Sequence, residues 1–517
     1  MPNRPTDSLF LLIKSLEKAE KRNFKLYVKR NSGGEDLKIV QLFDALDKMS
    51  EYDENQLLKN KNFRKQQLSN IKSHLYRTIL SSLRILKDTD NIDLQLHEQM
   101  DYARILYNKG FYHQSLKALD KMKDLALAHN QYTYLMQALF FEKKIEALHI
   151  TRSMQDRAEQ LTTEAEQANQ ALARINRLSN LSLLLYSWYI KNGHIRNKEE
   201  DKTLVRFFND RLPRAVGGPQ EFYAKLYLYQ CYCWYSFIRQ DWRMYYRYTS
   251  KWVDLFREDQ HMIQVETAHY IKGVHNLLNA YFSLQRHRQF NAALNEFREF
   301  SESDLVQQNI NNRAQTFVYL NIALINKHFL EGSFTQGLDL VKYIEEKLAD
   351  HSIYLDRHRI LVFHYKFASM YFGSGRIEKA IDHLNKIINW KVDLRTDLQC
   401  YSRLLHLISH YELGNYQLVE YLARSVYRFM AKMENMSGVE QEILAFLRGS
   451  FRISSSDLKN AFRDLLVKLK RYENNPLETR AFSYLDIISW LESKINNMPI
   501  QDVIRRKYEE RKKKERT

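Results

Sequence analysis

The chain has 517 residues and carries 79 Lys and Arg against 62 Asp and Glu, a formal net charge of +17. A hydrophobic fraction of 44 % and a charged fraction of 27 % are typical of a folded soluble protein, and the length exceeds what one hydrophobic core usually serves. With 14 glycines and 6 prolines the chain has too few turn residues for a strand-rich fold, so helices are expected throughout.

Cysteine content and hydropathy indicate the cellular compartment of the protein. The three cysteines, Cys231, Cys233 and Cys400, are too few for a disulfide framework, and we expect them to be structural. The longest apolar stretch, at 181–190, falls short of the roughly 20 residues that a spanning helix needs. We therefore expect a cytoplasmic protein without membrane insertion. Its positive charge favours an acidic partner: nucleic acid, a ribonucleoprotein, an anionic membrane surface or an acidic protein face.

The N-terminal residues 1–90 predict a small helical bundle. A first helix is expected from Ser8 through Lys29, a second from Asp36, and a short third helix capped by Asp53. A fourth helix carries one apolar stripe from Leu68 to Leu86 at helical spacing.

This bundle contains a run of basic residues without any Asp or Glu between Asn55 and Lys87. It fits a helix-turn-helix that touches nucleic acid, with Lys65, Lys72 and Tyr76 facing outward, or a capping bundle whose cations are merely solvated. The candidate nucleic-acid-binding residues of this region are Lys61, Arg64, Lys65, Lys72 and Arg77.

A repeated frame follows the bundle: a turn residue, an aromatic or aliphatic residue two positions on, and a small residue five positions on. Gly110 with Tyr112 and Ser115 is a good copy. Successive copies are 39 to 48 residues apart. The turn positions of the eight copies are Gly110, Ser153, Gly193, Gln240, Arg288, Gly332, Gly375 and Gly414.

The chemistry of the frame is that of a helix hairpin. An amphipathic segment ending in Tyr or Phe precedes each turn, a glycine ends that helix, and the small residue lets the second helix approach closely. The core Tyr…Gly-x-Tyr/Phe-x-x-Ala/Ser-Leu, best preserved at 106–119 and 370–384, resembles the tetratricopeptide repeat (TPR) superfamily over about 92–435. The unit here is longer than the family's 34 residues, and the family's closing proline is missing.

The resemblance implies an all-α protein, namely a right-handed α-solenoid of about eight long TPR-like helix pairs that follows the N-terminal bundle. It also implies binding of a protein or peptide on a concave face. The expected divisions are a basic bundle at 1–90, repeats at 91–212, a loop at 213–220, repeats at 221–435, capping helices at 436–498 and a basic tail at 499–517.

An aromatic segment at 222–252 is interleaved with Lys and Arg and is our candidate binding surface in that groove. Aromatic and Arg side chains anchor protein interfaces and stack on bases, although the same residues could simply pack thick helix layers. The candidate partner-binding residues are Tyr235, Arg239, Trp242, Arg243, Tyr246 and Arg247.

The C-terminal residues predict capping helices and a charged end. Ser454 is expected to cap one helix, and 481–495 to form the last. The basic tail beyond Pro499 is either a solvated, partly frayed helix or an electrostatic anchor on RNA, and its candidate residues are Arg505, Arg506 and Lys512.

Signals of catalysis are weak throughout. The glycines at 373–376 follow a helix and form no phosphate-binding loop, and His406 and His410 fit packing better than a metal site. We therefore expect no enzyme, no cofactor and no metal. The sequence predicts a scaffold that binds a protein or peptide, with a nucleic-acid- or ribosome-associated regulator as the alternative.

Overall fold

The computed structural model describes residues 7–31, 37–59, 63–86, 91–149, 156–213, 221–351, 355–390, 395–433, 436–473, 475, 477–478 and 480–514. Within these ranges the chain is all-α, as predicted, with no β-strand. None of the helices in these ranges is long and apolar enough to cross a membrane. The chain divides into two compact units, unit 1 (1–168) and unit 2 (169–517), and the division falls inside one long helix.

The helices of unit 1 are α1 (Ser8–Ser15), α2 (Lys18–Asn31), α3 (Leu37–Lys48), α4 (Glu54–Lys59), α5 (Lys65–Leu86), α6 (Ile92–Asn108), α7 (Tyr112–Ala128), α8 (Tyr132–Leu148) and the start of α9 (Arg157–Asn192). The further helices of unit 2 are α10 (Lys198–Arg211), α11 (Phe222–Arg239), α12 (Trp242–Glu258), α13 (His261–Val265), α14 (Thr267–Ser283), α15 (His287–Ser301), α16 (Asp304–Gln307), α17 (Ile310–Glu331), α18 (Leu338–His351), α19 (Arg357–Gly373), α20 (Ile377–Ile388), α21 (Thr396–Glu412), α22 (Tyr416–Lys432), α23 (Gly438–Gly449), α24 (Ser455–Lys470), α25 (Arg480–Tyr484), α26 (Ile487–Asn496) and α27 (Ile500–Lys514).

The N-terminal bundle differs from the prediction at its first helix. The segment 8–29 forms two helices, because Leu16 adopts an extended conformation and buries its side chain at the break. Asp7 caps the first of them, and its carboxylate accepts hydrogen bonds from the backbone N–H of Leu9 and Phe10. The cap at Asp53 is confirmed by its hydrogen bonds from Asn55 and Gln56.

The predicted turns coincide with helix ends at most of the repeat positions. Gly110, Gln240, Gly375 and Gly414 each end a helix with a positive φ, between +59° and +80°. One position is wrong: Arg288 lies inside α15, and the turn residue is Gln285, with φ +54°. Ser153 and, apart from Pro213, the predicted break at 213–220 lie outside the described residues.

The hairpins pack along their length and against one another. In α6 and α7 the predicted small residue Ser115 is fully buried, and its hydroxyl donates to the carbonyl oxygen of Ala103 at 2.7 Å. Ala380 is equally buried between α19 and α20. In unit 2 the first helices of successive hairpins are neighbours, since α14 packs against α17, α17 against α19 and α19 against α21.

The end of the chain is more ordered than predicted. The prediction of a single helix at 481–495 is wrong, because α25 and α26 divide it at Leu485. The interpretation of the tail as partly disordered or frayed is also wrong over 500–514, which form one continuous helix, while the expected solvent exposure holds for 505, 506 and 509–513. Helix α27 buries Val503 and packs against α17 of the same unit, where the Arg505 guanidinium donates to the carbonyl oxygen of Gly332 at 3.2 Å.

One buried ion pair connects four helices of unit 2. Arg395 Nε lies 2.8 Å from Asp397 Oδ1, and both side chains are less than a tenth exposed. The Tyr484 hydroxyl of α25 donates to Asp397, and Arg395 also contacts the ring of Tyr189 on α9 and lies 3.4 Å from His358 Nε2 on α19. The Arg395 guanidinium holds the pKa of Asp397 well below its usual range, against the opposing effect of burial.

We expect Asp397→Asn to lower the free energy of unfolding by roughly 3–5 kcal/mol, because it leaves a buried guanidinium without its counter-charge. Since the pKa of Asp397 is depressed in the folded state, its contribution is present above the ordinary aspartate pKa and disappears as the pH falls below it. Urea unfolding across acidic pH measures both effects. The control is Asp382→Asn, whose exposed pair with Lys379 at 3.7 Å contributes little.

Docking of α27 depends on the turn glycine Gly332, which has φ +64° and where an added Cβ would lie 2.5 Å from the backbone nitrogen of Arg505. We expect Gly332→Ala to destabilise unit 2 by about 2–4 kcal/mol and to expose α27 to trypsin. The control Gly375→Ala has a similar φ but open space around it, so it should cost about 1 kcal/mol and leave the cleavage of α27 unchanged. Equal cleavage in both variants would contradict this role of Gly332.

Candidate functional site

A directed chain of hydrogen bonds crosses three neighbouring helices of unit 2. On α19 the Lys366 ammonium donates to Asn326 Oδ1 of α17 at 2.6 Å. The amide of Asn326 donates to Asn279 Oδ1 of α14 at 3.5 Å, and the amide of Asn279 lies 3.0 Å from Nε2 of His275. Because lysine can only donate, it fixes the direction of the whole chain.

The same direction fixes the state of His275. The Asn279 amide nitrogen donates to Nε2, so the proton of a neutral imidazole lies on Nδ1. The ring is neutral because burial, followed by the charges of Lys366, Arg359 and Lys272, lowers the pKa of His275 to about 3. Its Nδ1 is buried and has no hydrogen-bond partner among the described residues.

The three cations that lower the pKa of His275 each lie over an aromatic ring. Lys272 Nζ lies 5.2 Å from the ring centre of Tyr186 and 5.4 Å from that of Trp234. The Arg359 guanidinium lies 5.7 Å from the ring centre of Tyr319, which stacks on His275 at 3.9 Å. Attraction to the negative face of a ring holds a cation in place without neutralising it. We call Lys272, Arg359 and Lys366, the three cations that affect His275, the cationic cluster.

Carboxylates contribute little to this cluster. In the described ranges neither Lys272 nor Lys366 forms an ion pair, and Arg359 Nε is 3.5 Å from Asp356 Oδ2, a side chain that is 59 % exposed. Burial lowers the pKa of Lys366 to about 8, and burial together with Arg359 lowers that of Lys272. Both lysine residues are nevertheless half-buried, so part of each side chain remains in contact with solvent.

The cluster therefore presents hydrogen-bond donors with positive charge. Lys272 donates no hydrogen bond to a described residue, and Lys366 donates one of its three N–H groups. The Nη groups of Arg359 likewise have no hydrogen-bond partner there. Donors of this kind suit anionic ligand groups with acceptor oxygens.

The six predicted groove residues do not assemble into one exposed surface. Tyr235 is buried and stacks on Phe208 at 4.1 Å, and Arg239 pairs with Asp201 at 2.6 Å. The other four are half-buried or exposed on α12. Trp242 packs edge-on against Phe237, Tyr246 lies under the Arg286 guanidinium, and Arg243 and Arg247 are exposed.

The residues predicted to bind nucleic acid differ in their exposure to solvent. Lys72, expected to face outward, is ion-paired with Asp7 at 2.8 Å and hydrogen-bonded to Tyr52. Lys61 lies outside the described residues. The exposed candidates are Arg64, Lys65, Arg77, Arg505, Arg506 and Lys512.

The histidine and cysteine candidates for chemistry are packing residues. His406 and His410 meet edge to face at 4.6 Å, and burial lowers the pKa of His406 to about 4. Cys231 and Cys233 are buried, and burial raises the pKa of both thiols. Within the described part of the chain, no three His, Cys, Asp or Glu side chains are grouped as a metal site requires.

Sequence reasoning missed the cationic cluster, although a signal was present. Lys272 and Lys366 each stand alone inside a run of apolar and aromatic helix residues, at 270–274 and 363–367. A single lysine at such a position is seldom buried without a reason. The sequence instead pointed to lysines of the basic runs, because several like charges close together form a stronger sequence signal than a single lysine.

Compared with known proteins, the chain matches no family model, and no curated protein is similar to it at a significant level.

Proposed function

We propose that this protein is a non-catalytic binding scaffold that holds an acidic peptide segment of a partner protein at the cationic cluster of unit 2. In this proposal the hairpins belong to a right-handed, TPR-like solenoid of about eight helix pairs. The first helices α9, α11, α14, α17 and α19 line its groove. The cluster lies on these first helices, where a TPR-like protein would expose its concave face.

The observation that carries the proposal is the absence of counter-charge at Lys272 and Lys366 among the described residues. A cation that loses part of its hydration without being paired is destabilising. By contrast, the buried Arg395 of unit 2 is paired with Asp397. An anionic ligand would supply the missing charge, and this explains why the cluster is built from donors.

Two further features fit this function. The three cysteines are buried thiols that form no disulfide with a described residue, which is consistent with a reducing compartment, and we propose that the protein works in the cytoplasm. The aromatic rings beneath the cations offer apolar area beside the charges, the combination that anchors peptide side chains at interfaces.

A nucleic-acid-associated regulator is the second candidate, because unit 1 exposes cations that no described carboxylate neutralises. Arg64, Lys65 and Arg77 are exposed on and beside α5. Phosphate contacts of this kind would make binding steeply salt-dependent. The scaffold is favoured because Lys72, the central cation of the predicted helix-turn-helix, is engaged inside the bundle.

We expect Lys272→Met to leave the free energy of unfolding unchanged or to raise it by up to about 1 kcal/mol at neutral pH, because a site kept for a ligand is a cost to the fold. The folded-state pKa of Lys272 is depressed, so this cost is full below that pKa and fades as the pH rises through the ordinary lysine value. Urea unfolding from pH 7 to 11 tests this, with the exposed Lys342→Met as control. A loss above about 1 kcal/mol would show that Lys272 supports the fold.

The binding test uses an array of random dodecamer peptides probed with the full chain. Acidic peptides should bind, and their affinity, measured by fluorescence polarisation, should fall about tenfold or more in the Lys272→Met/Lys366→Met double variant. Lys342→Met should bind as the wild type does. The scaffold proposal fails if a single-stranded RNA dodecamer binds more tightly than any peptide and Lys65→Glu/Arg77→Glu abolishes that binding.

A further inference from the structure

Helix α9 exposes large apolar side chains in the part of the helix that lies next to Lys272. The exposed fraction is 66 % for Leu183, 45 % for Leu184 and 37 % for Tyr186. Leu181 and Leu185 of the same segment are instead at most 1 % exposed, as core residues should be. A single exposed leucine is ordinary on a protein surface, whereas several large apolar side chains within one turn form a patch of the kind that partners cover.

Tyr186 connects this apolar patch to Lys272. Leu183 and Tyr186 are three positions apart and therefore lie side by side on α9. The ring of Tyr186 lies 4.9 Å from that of Trp234 on α11, and Lys272 Nζ of α14 is 5.2 Å from the centre of the first ring and 5.4 Å from that of the second. The apolar side chain of Leu183 and the ammonium are thus on the order of 10 Å apart, which about three residues of an extended peptide span.

The charge beside the patch selects an acidic partner. Lys272 forms no ion pair within the described ranges, whereas Arg359, whose charge together with burial lowers the pKa of Lys272, has Asp356 at 3.5 Å. A second copy of the chain fits this charge poorly. In a two-fold symmetric dimer the same patch of both copies meets, and this would bring two Lys272 ammonium groups together.

We propose that Leu183 and Tyr186 form an apolar subsite beside Lys272, so that the acidic peptide which the scaffold binds carries a large apolar side chain within about three residues of its carboxylate. This inference rests on the proposed function and names a second feature of the ligand. The two contacts support each other. An apolar side chain that covers Leu183 and the Tyr186 ring excludes water from the neighbouring ion pair, and the attraction between carboxylate and ammonium is stronger where water is excluded.

The experiment uses dodecamer peptides with a central glutamate and with either leucine or serine at one position, scanned over three residues on each side. Affinity for the full chain is measured by fluorescence polarisation. We expect the best leucine peptides to bind about fivefold or more tighter than their serine counterparts. Leu183→Gln, which keeps the size and helix propensity of leucine, should remove this preference. The matched control Leu418→Gln, at a 40 % exposed position on α22, should keep it.

The outcomes separate this inference from the proposed function. Equal binding of the leucine and serine peptides, with both lost in Lys272→Met, overturns the apolar subsite and leaves the acidic-peptide scaffold standing. A leucine preference that survives in Leu183→Gln, folded by circular dichroism, places the subsite elsewhere and also overturns the inference. If replacing the glutamate by glutamine changes nothing and Lys272→Met binds as the wild type does, both proposals fail. If the wild type sediments as a dimer and Leu183→Gln as a monomer without any effect on peptide affinity, a second copy covers the patch and the inference is wrong.

Discussion

The buried pair of Arg395 and Asp397 is the contact on which the arrangement of unit 2 depends. It joins the end of α9, the start of α21 and α25 to His358, the neighbour of Arg359 on α19. Two charges removed from water are stable together only when their geometry is fixed and their remaining hydrogen-bonding groups are satisfied. Arg395 meets this demand at φ +58°, a left-handed conformation that costs a non-glycine residue about 1 kcal/mol. The surrounding contacts must compensate for this strain, and they thereby position the first turn of α19.

Two members of the cationic cluster, Arg359 and Lys366, lie on α19 together with His358, and the cluster differs from the Arg395 site in how its charges are compensated. Arg395 has a carboxylate, two tyrosines and a histidine around it, whereas Lys272 and Lys366 have rings and an amide. Within the described part of unit 2, therefore, one set of cations, such as the buried Arg395, is neutralised by a carboxylate, and another set, which includes the half-buried Lys272 and Lys366, is not. The neutralised set holds helices together. The other set is expected to lower stability, a cost that is more typical of binding sites than of cores.

The sequence predicts the fold class and the hairpins because both depend on local signals. Gly110, Gly375 and Gly414 mark turns that need a positive φ, and amphipathic spacing marks the helices beside them. The sequence pattern puts the turn at Arg288, three residues after the actual turn at Gln285. The turn at Gln285 has no glycine to mark it, and Phe290 inside α15 fits the aromatic position of the repeated frame. The docking of α27 could not be foreseen either, since charged residues outnumber apolar ones there and Val503 meets its partners only in three dimensions.

The candidate site could not be predicted from the sequence, because its residues come together only in three dimensions. His275, Asn326 and Lys366 are some 40 to 50 residues apart in sequence, and they meet because α14, α17 and α19 lie side by side. What identifies the site is that Lys272 and Lys366 have no carboxylate partner among the described residues, and this becomes visible only in three dimensions. The composition of the aromatic segment at 222–252 predicted a binding surface there. Trp234 of that segment contacts the cluster, because Lys272 lies over its ring.

The hydrogen-bond chain also determines how a ligand at the cluster would affect the fold. Lys366 fixes the orientation of Asn326 and Asn279, and through them the tautomer of His275, across three hairpins. An anion bound to Lys366 would strengthen its charged form, whose pKa burial has lowered to about 8, and would therefore reinforce the donor at the head of the chain. Binding and the mutual packing of α14, α17 and α19 are then favoured by the same charge. A scaffold made of neighbouring hairpins gains rigidity at the place where its ligand sits, because each hairpin contacts mainly the next and has few other means of being held.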